Sequence, residues 1–328
     1  MTSTNITRRH LLGAAAAASL AHLGAPAWAQ AWPSRPIRLI SPYNAGGPSD
    51  ILTRVLGDFM APRLGQPVVV ENKAGAGTRI ANEYIAKAAP DGYTLLHAAA
   101  PIAIGEALYP NLPYDLRKSF TPIVSTAIAP LFLVVNAEAP YKTVAEFVSW
   151  GKAQAGGLNF GSPGAGSAPH LTAELFMRAA GAKGVVAQFK GDAPAYTELL
   201  AGRIDATLTA ISTAVPHIQA GKLRVLAVAN ETRSPSYPDT PTFVESGLPS
   251  VVGYGWYGLM APAGLPAAII QRLNTETNAA IADAEVRKKT EAAGLQLRGG
   301  TAAEFRTFLD REARKWSQVI KAANIQPE

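Results

Sequence analysis

The chain has 328 residues, a net charge of +6 at pH 7, 48% hydrophobic and 16% charged residues, and no cysteine. That length exceeds what one core usually supports, so two domains are expected, and the apolar content excludes a disordered chain. Disulfides, thiolate metal sites and thiol nucleophiles are excluded, and no Lys/Arg run marks a nucleic-acid partner.

The first residues read as a cleavable export leader. Arg8 and Arg9 precede Leu11 and Leu12, an Ala-rich run too short to span a bilayer follows, and Ala27-Trp28-Ala29 places small residues before Gln30. The paired arginines point to twin-arginine export of folded cargo. A leader over residues 1–29 leaves a mature chain from Gln30, outside the cytoplasmic membrane, whose net charge drops to +4 once Arg8 and Arg9 are removed. No further apolar stretch reaches transmembrane length.

Strands and helices then alternate. Residues 37–40 predict a strand, and Ile51, Leu52, Val55, Leu56, Phe59 and Met60 predict one helix face, with Ser49 or Asp50 as its cap. A strand at 68–71, a loop at 72–78, a helix at 80–89 and a strand at 94–98 repeat the unit. Strand 131–135 precedes a helix at 143–154 with Thr143 and Glu146 in capping-box positions. A strand at 158–160, a helix at 171–180, a helix at 193–201 and strands at 204–208 and 223–229 come next. Helices at 266–282, 284–293 and 302–323 end the chain; Asp283 is a candidate cap, and Phe305, Phe308, Leu309, Trp316 and Ile320 face the core. This alternation predicts an α/β fold with a mostly parallel sheet.

Three turns, at residues 43–50, 72–78 and 161–170, are rich in Gly, Ser, Thr and Asn. Each is either a tight turn or an anion site, where glycine admits close backbone approach and a helix N-terminus offers free N–H groups. Three together favour one shared site for carboxylate or phosphate at the carboxyl ends of the strands. Nucleotide motifs fail: Gly161 to Ser167 lacks the P-loop lysine, and Ile80 stands where the dinucleotide fingerprint needs Gly or Ala. No G-x-S-x-G elbow or H-E-x-x-H occurs, and no metal or cofactor site is expected. Of the mature chain's histidines, His97 reads as packed core, His217 as helix surface, and His170 as a ligand contact or a loop cap.

These segments resemble the receptors of tripartite tricarboxylate transporters, the Bug family of periplasmic solute receptors. The likeness runs through residues 32–37, 42–50, 71–77, 89–94, 161–170, 190–195, 199–205, 220–227 and Gly255-Trp256-Tyr257-Gly258, covering the mature chain in the family's order. It implies a type II periplasmic-binding-protein fold of two α/β lobes joined by crossing hinge strands. Lobe I would be residues 30–128 and 252–328, and lobe II residues 129–251, with hinges near 126–131 and 250–254. It further implies a periplasmic, monomeric, non-enzymatic receptor for a small mono- or dicarboxylate, partnered by a membrane permease. By this analogy Tyr43, Asn44, Ala45, Gly46, Gly75, Ala76 and Thr78 hold the proximal carboxylate, and Ser162, Gly166, Ser167 and His170 meet the distal end. Asp205 either accepts from the ligand or fixes the loops.

The chain departs from its relatives at Thr78 and Arg79, where a further Gly is common after Gly-Ala-Gly, at Ala187 to Gly191, and at the apolar third turn Ala100 to Gly105. Thr78 adds a hydroxyl and a helix cap, and the third turn suits a hydrophobic ligand body. Two other classes fit the same residues: an exported enzyme using His170 and Asp205 on an anionic substrate, and a soluble sensor for a membrane kinase.

Overall fold

The computed structural model describes residues 32–189 and 191–326. Contacts group Arg35–Glu328 into one compact unit. The export leader expected over residues 1–29 lies outside the described residues.

Hydrophobic periodicity placed most elements correctly. β1 (Ile37–Ser41) buries Ile37, Leu39 and Ile40, and α1 (Pro48–Leu64) turns Leu52, Leu56 and Met60 inward. Neither Ser49 nor Asp50 caps α1. Pro48 opens the helix after Gly47, where proline's missing N–H costs nothing, so both side chains fall within the first turn. β2 (Val68–Asn72), a 3-10 turn at Ala76–Thr78, α2 (Arg79–Ala86) and β3 (Thr94–Ala99) follow. The segment expected as a third turn is instead helix α3 (Pro101–Leu108), with Ile102, Ala103 and Ile104 buried.

The middle of the chain forms β4 (Phe120–Asn136), α4 (Val144–Ala153), β5 (Leu158–Ser162), α5 (Ala168–Ala180), β6 (Gly184–Gln188), α6 (Asp192–Leu200), β7 (Ala206–Ala210), α7 (Ile211–Gln219) and β8 (Leu223–Val228). It closes with β9 (Tyr254–Pro262), α8 (Ala267–Ala282), α9 (Ala284–Ala292), β10 (Gln296–Leu297) and α10 (Ala302–Ala322). Asp283 caps α9 through the N–H groups of Glu285 and Val286. Thr143 caps α4, but the Glu146 carboxylate takes the Lys142 N–H rather than that of Thr143, so the box is not closed there; Thr301 and Glu304 form a complete one on α10.

The strand order is β2-β1-β3-β9-β4-β7-β5-β6, with β8 and β10 also paired to β4. The sheet is mixed rather than mostly parallel. Pairs β1–β2, β1–β3, β5–β6 and β5–β7 are parallel, fed by crossover helices, whereas β4 and β9 run against every neighbour. β4 is the spine: Phe120–Pro130 pairs with β9, and from Leu131 onward it pairs with β7 and β8. The chain returns alongside, with the Ala229 N–H donating to Leu131 O at 2.8 Å and the Gly253 N–H to Ala229 O at 2.9 Å. One core gathers Ile40, Leu96, Phe120, Trp256, Phe305, Leu309 and Trp316, and another Leu133, Phe147, Phe160, Phe176 and Phe243.

Candidate functional site

Loops leaving the carboxyl ends of strands in both halves of the sheet meet in one cleft, where open α/β folds bind ligands. Two adjoining cavities of about 280 and 290 Å³ occupy it and share Tyr43, Pro101, Pro163 and Ser167. The first also touches Ala129, Asp192, Ala210, Trp256 and Tyr257; the second touches Gly77, Arg79, Ile104, Leu108, Tyr109 and Gly166. A larger cavity of about 450 Å³ beside Arg298, Phe305 and Arg311 collects none of the expected site residues.

The first two turns are laced together by Asp50. Its carboxylate accepts from the Gly46 N–H (3.0 Å), Arg54 Nε (3.0 Å) and Asn72 Nδ2 (2.8 Å), and Asn72 Nδ2 also donates to Tyr43 O at 2.9 Å. Burial pushes the Asp50 carboxyl up, but Arg54, the Gly46 N–H and Asn72 outweigh it and hold it down at about 2. In the second turn Gly75, Ala76, Gly77 and Thr78 all have positive φ, at 125°, 46°, 59° and 74°. For Ala76 and Thr78 this left-handed backbone costs roughly 1–2 kcal/mol each.

The loop after β5 is fixed by its own side chains. Ser167 Oγ lies 3.2 Å from Ser162 Oγ and accepts the His170 N–H at 3.3 Å, capping α5. His170 Nδ1 accepts the Gly166 N–H at 3.0 Å, which puts the proton of the neutral ring on Nε2, 3.8 Å from Glu174 Oε1. Burial pushes the Glu174 carboxyl up.

His97 is fully buried, as its strand position implied, with Nδ1 2.7 Å from Thr53 Oγ1 and Nε2 2.9 Å from Thr126 Oγ1, and its ring stacks on Tyr257 at 5.7 Å. Burial lowers its pKa to about 3. An unfolded histidine titrates near 6.5, so the unfolded chain takes up the proton first. Stability is therefore full above pH 6.5 and falls as pH drops toward 3. His97→Gln should flatten the loss of unfolding free energy between pH 7 and pH 5 in urea titrations, and an unchanged slope would refute this account. His217, expected on a helix surface, is half-buried on α7 with its ring 5.8 Å from that of Tyr196.

Of the expected site residues, Tyr43 and Ser167 line both cavities and Gly166 lines the second. Asn44, Ala45, Gly46, Gly75 and Ala76 stand exposed on the two turns beside them. Ser162 and His170 are buried behind the loop they hold. The Thr78 side chain is also buried: its hydroxyl accepts from Asn82 Nδ2 at 3.1 Å and makes no cap bond on α2, contrary to expectation. Asp205 is not brought to the cleft. It precedes β7 at the far end of the sheet, accepting the Asn159 N–H at 2.7 Å and Asn159 Nδ2 at 3.2 Å. Burial pushes its carboxyl up and the Asn159 bonds oppose that. Sequence reasoning missed Arg79, Tyr109, Asp192, Ala210 and Tyr257 as cleft residues. Asp192 and Tyr257 lie in two of the family-like segments, 190–195 and Gly255 to Gly258, and that was the available signal.

Among the described residues, no group of three His, Cys, Asp or Glu could hold a metal, and no helix is long and apolar enough to cross a membrane. Two α/β lobes, crossing strands and a cleft closed by turns from both sides define a solute-binding protein of the type II periplasmic-binding-protein fold. Residues 52–325 match the tripartite tricarboxylate transporter family receptor, and the chain belongs to that family. It is 36% identical to Protein BugT of Bordetella pertussis over 92% of this chain and 93% of that one. Among solved structures it is similar to R. palustris Rpa4515 with adipate (31% identity, TM-score 0.77, 90% of this chain and 100% of that one). It is also similar to MatC (Rpa3494) from Rhodopseudomonas palustris with bound malate (31% identity, TM-score 0.73, 88% and 100%).

Proposed function

We propose that this protein is a periplasmic receptor that closes two lobes around a small mono- or dicarboxylate and delivers it to the membrane permease of a tripartite tricarboxylate-type transporter. The observation that carries this reading is the shared cleft, where the Asp50-braced turns and the Ser167-capped N-terminus of α5 converge on two adjoining cavities. Backbone N–H groups and a helix N-terminus suit a carboxylate, and relatives hold adipate and malate. Lobe closure changes the surface offered to a permease, so occupancy becomes a signal.

Binding without turnover is the reading for the cleft: among its described lining residues there is no histidine, and Ser167 Oγ serves the α5 cap. We assign residues 1–29 to a twin-arginine leader, 30–128 and 252–328 to lobe I, and 129–251 to lobe II. The partner change of β4 after Pro130 and the return through Gly253 support that division.

The test is thermal unfolding of the purified protein against carboxylates, sugars and neutral solutes. A ligand at 100 times its dissociation constant stabilises by about 2.7 kcal/mol, a shift of several degrees. A shift confined to carboxylates, with the compound recovered unchanged, is expected; chemical conversion of the ligand would overturn the receptor reading. Ser167→Ala should cost about 1 kcal/mol of stability through the lost cap and weaken carboxylate binding roughly tenfold in calorimetry. Unaltered affinity would remove Ser167 from the site.

A further inference from the structure

Each cavity of the cleft carries one charged side chain among its described lining residues, and the two are opposite in sign. In the cavity lined by Gly77, Tyr109 and Gly166 it is Arg79. Its Nε–H donates to Ala76 O at 2.8 Å and its guanidinium stacks over the Tyr109 ring at 3.9 Å, so the cation is held in place with its terminal N–H groups still available. In the cavity lined by Ala210, Trp256 and Tyr257 it is Asp192, the first residue of α6. The Asp192 carboxylate accepts one hydrogen bond, from Thr209 Oγ1 at 3.2 Å, and has no ion pair with a described residue. Burial pushes its carboxyl up against the Thr209 bond, so this anion is poorly solvated where a ligand would lie.

We propose that the cleft selects a zwitterionic aminocarboxylate, with its carboxylate beside Arg79 and the Gly75–Thr78 turn and its ammonium beside Asp192. This rests on the receptor reading and narrows it. A ligand with a carboxylate at each end would set its second charge against Asp192 in a partly dry wall, and like charges there oppose binding. An ammonium supplies the counter-ion that Asp192 lacks among the described residues, and it donates to the carboxylate directly.

The experiment is calorimetric titration of the purified protein with length-matched pairs: 4-aminobutyrate against glutarate, and 6-aminohexanoate against adipate. At neutral pH the aminocarboxylate of at least one pair should bind roughly 10- to 100-fold more tightly than its dicarboxylate partner, the range of a charged hydrogen bond. Asp192→Asn keeps an acceptor for Thr209 and should erase that preference while leaving the ligand-free unfolding midpoint in place; Asp192→Ser should do the same. Arg79→Gln should weaken both classes together. Tighter binding of the dicarboxylates, or a preference that survives both Asp192 variants, overturns the proposal while leaving a carboxylate receptor standing. Binding of neither class overturns the receptor reading as well.

Discussion

Gly258→Ala is expected to destabilise the protein by about 3 kcal/mol, the upper end of the range for overpacking a core. A Cβ at this position would lie 2.1 Å from Cζ of Phe305, 2.6 Å from Cε1 and 2.9 Å from Cε2. The Phe305 ring is 1% exposed and wedged edge-on against Trp256, with centroids 5.9 Å apart, so it has no room to withdraw. Nor can the strand yield, because Gly258 pairs with Ala98 of β3 on one side and Ser125 of β4 on the other. The damage reaches the cleft, since Trp256 and Tyr257 precede Gly258 on the same strand and line the first cavity. Phe305→Leu removes the three clashing atoms. Alone it loses packing, but the double variant should exceed the sum of the single effects in stability by at least about 1 kcal/mol in urea titrations, as coupled neighbours do. Strict additivity would show that this contact does not limit residue 258.

That tight contact explains a segment the sequence could display but not interpret. Gly255-Trp256-Tyr257-Gly258 stood out as a family pattern, yet nothing local says that its last glycine is emptied by a phenylalanine on α10. The general rule holds elsewhere in the molecule. Elements with their own periodicity, such as α1 and α10, were legible because one face is apolar and the other polar. The first half of β4 and all of β9 were not. Both are buried along most of their length, with Thr121, Ser125 and Thr126 interrupting the apolar residues of β4, so neither keeps a clean alternation, and their antiparallel pairing is set by partners over a hundred residues away. The same limit applies to the site. Glycine turns announce themselves, so the cleft's rim and Tyr43, Gly166 and Ser167 were found. Side chains such as Asp192 and Arg79 acquire meaning only when two lobes bring them to one cavity wall. Asp205 stood open between a ligand contact and a loop anchor, and its Asn159 bonds, at the strands' other end from the cleft, favour the anchor.

Asp50→Asn should cost about 2 kcal/mol at neutral pH and disturb binding at a residue it does not touch. The Asp50 side chain is 5% exposed. Its pKa of about 2 in the folded protein, against about 3.9 in an unfolded chain, corresponds to about 2–3 kcal/mol of stability. Because the folded value is the lower one, this contribution is complete above pH 4 and lost as pH falls from 4 through 2. Asparagine cannot replace it. An amide turned one way sets its NH2 against the Gly46 N–H and Arg54 Nε; turned the other way, it meets Asn72 Nδ2. Flipping Asn72 to compensate would break its acceptance of Arg54 Nη2 and set its oxygen against Tyr43 O. The mismatch therefore passes along the network to Tyr43, which lines both cavities. Urea titrations should show a deficit at pH 7 that shrinks at pH 3, where the wild-type carboxylate begins to protonate, together with roughly tenfold weaker ligand binding at pH 7. A deficit of the same size at both pH values would mean that residue 50 acts through packing alone, and that the charge does not brace the two turns.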